Sequence, residues 1–375
     1  MKNGNADMTI LIVAGDPSGD LHGSHLARQL KTNGARVAAV GGPHLRQEAD
    51  EFLEDLASLA ITGFWEPAAK AGFLLRLGLR LKRFMQEQRP AALVCIDYYG
   101  FNRWVLALAK AANIPAYYFI SPQVWASRAG RINTLKRLVR KMLVIFPFEE
   151  QLYRTAGVPC AFVGHPLLDL IPEPPKKPDL KTPFTIGLLP GSRSSEVSRH
   201  LPVFLEAFRA LQQTFPGSRA LIFASPHLPD SAYSAVAGSA ELVREAGYTR
   251  RAGLDLAISS SGTATLENAL LGVPMVVVYK MSWLTYAVAR AIIRVHHISM
   301  VNILADRRLV PELIQNEATP QRVAEAARAL LEDPNRYARL RQDLLALRRV
   351  LGEPGASRRA AQEILSFREK KAPDA

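Results

Sequence analysis

Two cysteines in 375 residues, Cys95 and Cys160, are too few for a disulfide framework or a thiolate-ligated metal. Both lie in strand-like apolar contexts, which suits a reducing compartment. No apolar run approaches the roughly 18 residues that a membrane-spanning helix needs. Residues 1–8 are polar and lead straight into an apolar strand, so no signal peptide is expected there. There is no Asp-x-Asp pair and no His/Cys cluster at ligand spacing, and neither a metal nor a cofactor is expected. Acids are in short supply: 34 Asp and Glu against 47 Lys and Arg, a formal net charge of +13. That excess calls for an anionic partner, whether nucleic acid, a lipid surface or a phosphorylated substrate. Nucleic acid fits least, because no helix-turn-helix, zinc finger or aromatic-basic sheet motif appears.

What is present is a globular composition, 48% hydrophobic and 22% charged, in a chain long enough for two domains. Continuous apolar strands at 9–13, 36–40, 91–96, 116–120 and 142–145 alternate with helical patterns. After the first strand, Pro17 and two glycines argue against helix, which is expected from about Leu21 to Thr32. The segment 171–178 holds four prolines in eight residues and reads as a linker. Beyond it the alternation restarts, with strands at 184–189, 219–224, 255–259 and 275–279. The expected architecture is α/β: two Rossmann-like doubly wound parallel-sheet domains facing across a cleft. The expected bounds are 1–172, a linker over 173–182, then 183–350. A basic amphipathic helix at 356–367 would pack back on the first domain or on another subunit.

The stretch Leu189-Pro-Gly-Ser192-Arg193-Ser-Ser-Glu196 joins a strand to a helix. Such a turn presents backbone N–H groups to an anion, and Arg193 adds a forked cation suited to phosphate. Alternatively it is an ordinary βα turn with a surface arginine. A second loop, Ser261-Gly262-Thr263, ends a strand and opens a helix, with Glu267 one turn in on the face of Thr263. That carboxylate can accept ribose hydroxyls, or it is simply an acid in a Thr-capped helix. Two such loops favour a nucleotide. In the first half, Asp97 ends a buried strand, where it can take a proton from a substrate hydroxyl or merely cap the next helix. Ser18, Gly19, Asp20 and His22 belong to the first loop; Ser18 or Asp20 is alternatively an N-cap. Gln123 and Trp125 follow the fourth strand, where Trp125 either stacks or is core.

Residues 68–88 interleave Phe73, Leu74, Leu75, Leu77, Leu79, Leu81, Phe84 and Met85 with Lys70, Arg76, Arg80, Lys82 and Arg83. The pattern suits a helix lying on an anionic membrane surface, or a core helix with snorkelling arginines. Residues 283–297 repeat it with Arg290 and Arg294.

Taken in order, the stretches at 18–23, 96–102, 121–125, 162–166, 189–196, 261–267 and 302–315 resemble the lipid-A-disaccharide synthase family. The resemblance implies the two-Rossmann-domain (GT-B) fold and an inverting glycosyltransferase. The donor would be UDP-2,3-diacylglucosamine and the acceptor 2,3-diacylglucosamine 1-phosphate; the products would be the β-1,6 lipid A disaccharide 1-phosphate and UDP. By analogy, Asp97 would be the general base and Ser18, Gly19, Asp20, His22, Gln123 and Trp125 would lie on the acceptor side. Ser192, Arg193, Ser261, Gly262 and Thr263 would hold the diphosphate, Glu267 the ribose, and Asn302 would line the donor site. The resemblance further implies a cytoplasmic protein, peripheral on the inner face of the inner membrane, and a C-terminally swapped homodimer. Two positions depart from the family pattern: Asp16 stands where Glu is usual, and Tyr99-Gly100 where Pro-Asp is usual. Other readings of such a scaffold are a UDP-sugar 2-epimerase and a non-catalytic UDP-sugar-binding protein on the membrane surface.

Overall fold

Strands built from continuous Val, Ile, Leu and Ala runs bury both faces, and here they form two all-parallel sheets. The computed structural model describes residues 8–58, 67–125, 130–174, 180–226, 228–236, 240–244, 247–282, 286 and 297–366. The chain divides into one unit of Met1–Asp169 with Leu351–Ala375, and another of Leu170–Val350.

In the first unit the strands are β1 (Thr9–Ala14), β2 (Arg36–Gly41), β3 (Glu51–Asp55), β4 (Ala92–Ile96), β5 (Ala116–Phe119), β6 (Lys141–Val144) and β7 (Cys160–Phe162). They lie in the order β3-β2-β1-β4-β5-β6-β7. The order reverses between β1 and β4, which pair directly, with Ala14 opposite Ile96. The core on one face of this sheet includes Leu11, Val13, Leu81, Leu93, Val105 and Tyr118. Helix Ala356–Leu365 returns to this unit and packs on helix Pro17–Thr32, burying Ala356, Ala360, Ala361 and Ile364. Lys141 pairs with Glu363 at 2.6 Å, and Arg359 Nε donates to the Val163 carbonyl at 2.8 Å.

The second unit holds β8 (Thr185–Leu189), β9 (Arg219–Phe223), β10 (Glu241–Val243), β11 (Leu256–Ser260), β12 (Met275–Tyr279) and β13 (Glu312–Ile314). Their order is β10-β9-β8-β11-β12-β13, reversing between β8 and β11. In open parallel sheets, ligands bind beyond the strand ends at such reversals.

One expectation is corrected. The first helix starts at Pro17, not near Leu21, because Asp16 caps it in extended conformation and Pro17 occupies the first helical position. A proline there sacrifices no helical hydrogen bond. The 283–297 segment lies outside the described residues, apart from Tyr286 and His297, and the linker is described only in part.

Candidate active site

At the reversal in the first sheet, the loops leaving β1 and β4 meet. A Cβ on Gly15 would stand 2.1 Å from the Tyr98 ring, so only glycine permits this approach. Asp97 and Tyr98 both adopt left-handed backbone, φ 41° and 44°, which is strained for residues with a side chain. Two buried groups hold the turn. Asn102 Nδ2 donates to the carbonyls of Ile96 (3.1 Å) and Asp97 (2.8 Å), and the Tyr118 hydroxyl donates to the same Asp97 carbonyl. Helix Tyr99–Ala111 is capped by Tyr98 with no side-chain bond, so the Asp97 carboxylate is not spent as a cap. Burial raises that carboxyl to about 6, and the charge of Asp16 pushes the same way. Burial also raises Asp16; its Oδ2 accepts from Gly19 N–H at 3.4 Å while its Oδ1 is buried with no hydrogen-bond partner. An acid poised near neutrality at a strand end can accept a proton from an alcohol.

The remaining first-loop residues divide sharply. Asp20 is buried and accepts from the N–H groups of Gly42 (2.7 Å), His44 (2.9 Å) and Leu45 (2.9 Å), anchoring the start of helix Pro43–Glu48. Ser18 is exposed and Gly19 buried. His22 is buried, pushed down to about 4 by desolvation, and its Nδ1 has no partner, so it is a neutral imidazole. Gln123 is exposed. Trp125 is half-buried, edge-on to Phe148 at 5.3 Å, and its Nε1 donates to Glu149 at 3.2 Å. Glu149 escaped the sequence reading. It is 1% exposed, completes a capping box with Phe146 N–H, and fixes the tryptophan. A Glu three residues into a Pro-led helix was the available signal.

In the second unit, the loop after β8 turns at Gly191 (φ 124°), over which Glu196 folds; a Cβ there would meet Glu196 Oε2 at 2.5 Å. Glu196 accepts from the N–H groups of Ser192 (3.0 Å) and Arg193 (3.4 Å) and from Arg193 Nη1 (3.1 Å). The Arg193 side chain remains 79% exposed, with further donors for an anion. His200 escaped the sequence reading. Buried and stacked on Phe204, it accepts from Lys280 N–H at Nε2 (3.0 Å), which leaves Nδ1 to donate to the Pro190 carbonyl (2.8 Å). It thus ties the loop after β8 to the end of β12.

After β11, helix Thr263–Leu270 is capped by Gly262 rather than Thr263, and Gly262 and Thr263 are exposed. Ser261 Oγ donates to the Ile298 carbonyl at 3.0 Å. Glu267 accepts from Tyr248 Oη at 3.0 Å and pairs with Arg251. Asn302 is fully buried. Its Oδ1 accepts from the N–H groups of Leu309 (2.7 Å) and Val310 (2.9 Å). Its Nδ2 donates to the Val310 carbonyl (3.0 Å) and Glu312 (2.8 Å). All its capacity goes to shaping the 302–312 turn.

A family profile described as lipid-A-disaccharide synthetase matches residues 10–367. The lipid-A-disaccharide synthase of Syntrophus aciditrophicus (strain SB) is 42% identical over 375 residues, covering 96% of this chain and 98% of the relative. Among solved structures, the S. aureus MnaA–UDP co-structure is similar with a TM-score of 0.68 at 12% identity, covering 96% of this chain and 97% of that one. The Acinetobacter baumannii MurG structure is similar with a TM-score of 0.58 at 16% identity, covering 96% and 99%. At such identities these two likenesses speak for the two-domain GT-B fold alone.

Proposed function

The chain belongs to the lipid-A-disaccharide synthetase family, glycosyltransferases that form the lipid A disaccharide, and on that premise we propose the substrates and the role of each residue. The donor is UDP-2,3-diacylglucosamine and the acceptor 2,3-diacylglucosamine 1-phosphate. Asp97 takes the proton of the acceptor 6-hydroxyl as its oxygen attacks C1 of the donor sugar. The C1–O bond to the diphosphate breaks with inversion, and UDP leaves with the electron pair. The observation that carries this reading is the half-buried Asp97 carboxylate, raised to about 6 and not spent as a helix cap.

Leaving-group charge falls to Arg193 and to the Ser192 and 261–263 loops. Glu267, already oriented by Arg251, takes the ribose hydroxyls. Asn302 shapes the donor site through the backbone it holds at 309–310. Ser18, Gly19, His22, Gln123 and Trp125 serve the acceptor side. Asp20 serves it indirectly, by holding the 42–45 backbone.

The protein works as a peripheral protein on the anionic cytoplasmic face of the inner membrane. Helix Pro67–Gln88 supports this: Leu75 and Leu79 are 55% and 56% exposed on a helix that also carries exposed Arg76, Arg80 and Arg83. Among the described residues no helix is long and apolar enough to cross a membrane. The contacts that helix Ala356–Leu365 makes with its own first unit would, exchanged between copies, give a swapped homodimer.

Thin-layer analysis with both lipid precursors tests the reaction. Wild type should yield disaccharide and UDP, and Asp97→Asn should lose about 10²-fold or more in kcat. No product from wild type, or full activity in Asp97→Asn, would end this reading.

A further inference from the structure

Arg131 opens helix Arg131–Leu138, which follows β5, and its guanidinium carbon lies 4.4 Å from the centroid of the Tyr99 ring. Tyr99 is the first residue of helix Tyr99–Ala111, two positions beyond Asp97. β4 and β5 are paired neighbours, and the helices that follow them pack on each other. The fold thus brings a cation to the rim of the strand end where Asp97 stands. Nearby basic side chains are already engaged: Lys110 Nζ donates to the Arg137 carbonyl (2.7 Å), Lys136 Nζ donates to the Ala156 carbonyl (3.0 Å), and Lys141 pairs with Glu363. Arg131 differs from them. Among the described residues it makes no ion pair and no hydrogen bond, and it is half-buried over the tyrosine ring. A guanidinium held by an aromatic face is steadied there and keeps its N–H donors for an anion. Space for that anion lies alongside: Gly100 is exposed, and a Cβ built on it would meet nothing within 4 Å among the described residues. Tyr99 and Gly100 stand where Pro and Asp are usual in the family pattern, so this arrangement belongs to the present chain. We propose that Arg131, steadied by Tyr99, binds the 1-phosphate of the acceptor and so selects a phosphorylated sugar over its dephosphorylated form. The inference rests on the proposed reaction and its acceptor.

Charge gives the acceptor a direction as well as a contact. The ionised Asp97 carboxylate repels a phosphate and accepts from a hydroxyl. Arg131 does the reverse: it has donors for phosphate oxygens and can engage two of them at once. Phosphate and reacting hydroxyl sit on one sugar, so a cation for the first and a carboxylate for the second fix how that sugar lies. A lipid headgroup phosphate from the surrounding membrane carries the same chemistry. The acceptor is favoured as its source because Tyr99, which holds the cation, is on the same helix start that Asp97 leads into.

The test is steady-state kinetics of the full chain in neutral detergent micelles, with the UDP-sugar donor and with acceptor that bears or lacks its 1-phosphate. Wild type should use the phosphorylated acceptor about tenfold better or more in kcat/KM. Arg131→Gln should lose about that factor on the phosphorylated acceptor, with kcat/KM on the dephosphorylated acceptor and donor KM unchanged. Arg131→Lys, which keeps the charge but not the fork, should recover part of the loss. Thermal melting checks that the variants fold, and the wild-type preference reads the same selectivity without any variant. A wild type indifferent to the phosphate would overturn the proposal. So would an equal loss on both acceptors, which marks a structural role, or a raised donor KM in place of the acceptor effect. A loss that appears only in phosphatidylglycerol vesicles would assign Arg131 to the surrounding lipid and overturn it as well. No disaccharide from wild type with either acceptor would instead remove the reaction on which the inference rests.

Discussion

Glu149 holds its proton where most carboxylates have lost theirs. Burial raises it from an ordinary 4.5 to about 8, against the lowering effect of Phe146 N–H and Trp125 Nε1–H. Between those values the folded protein keeps a proton that the unfolded chain has released. Stability therefore falls as pH rises through that window, by up to about 1.4 kcal/mol per unit, and levels off above it. Urea unfolding between about pH 6 and about pH 9 should show wild type losing stability relative to Glu149→Gln. Parallel curves for the two would contradict it. The position of Asp97 was legible as a carboxylate at the end of a continuous apolar strand, where a base and a cap of the next helix are the two readings. Glu149 was not, since its partner Trp125 lies 24 positions away in the chain and only folding brings them together.

At the scale of elements, buried strands announced themselves and edge strands did not. The runs at β1, β4, β8, β11 and β12 are mostly apolar and buried along their length, as strands of a parallel sheet covered on both faces are. β3 is Glu-Phe-Leu-Glu-Asp and β13 only Glu-Leu-Ile, sequences that local pattern cannot separate from loop. The strand-to-helix turn after β8 was visible in its glycine and its following helix. Its tether was not: His200 reaches Lys280, 80 positions on. Replacing His200 with Ala leaves the Pro190 carbonyl and Lys280 N–H without that partner. Donor KM should rise about tenfold, with acceptor KM unchanged and about 1–3 kcal/mol of stability lost. Equal donor KM in His200→Ala would show that the tether does not hold the loop proposed to bind the donor.

For the whole molecule, the chain leaves its first unit at Asp169 and returns to it at Leu351. The returning segment buries Leu351, Ala356, Ala360, Ala361 and Ile364 and supplies Arg359 and Glu363 to polar contacts. Ending the chain at Val350 would expose the apolar surface of helix Pro17–Thr32 that this segment covers. Burying one Ile-sized side chain contributes about 1.5–3 kcal/mol, so the truncated protein should lose several kcal/mol and melt markedly lower. An unchanged melting temperature would mean that the first unit is stable without its C-terminal helix.

Periodicity and turn chemistry by themselves determined the parallel α/β class, the two-unit division and the strand ends where Asp97, Arg193 and Ser261 stand. These properties are local: a buried strand must be apolar along its length, and a strand-to-helix turn needs glycine or a cap within a few residues. Only the tertiary structure decided which polar groups are spent and which are free. Asp20 is consumed by the N–H groups of Gly42, His44 and Leu45, and Asn302 by its own turn, while Asp16 keeps an empty oxygen beside Asp97. The sequence places these side chains on comparable loops and turns. Their difference is whether a donor arrives through space, and that depends on how strands far apart in the chain come to lie side by side.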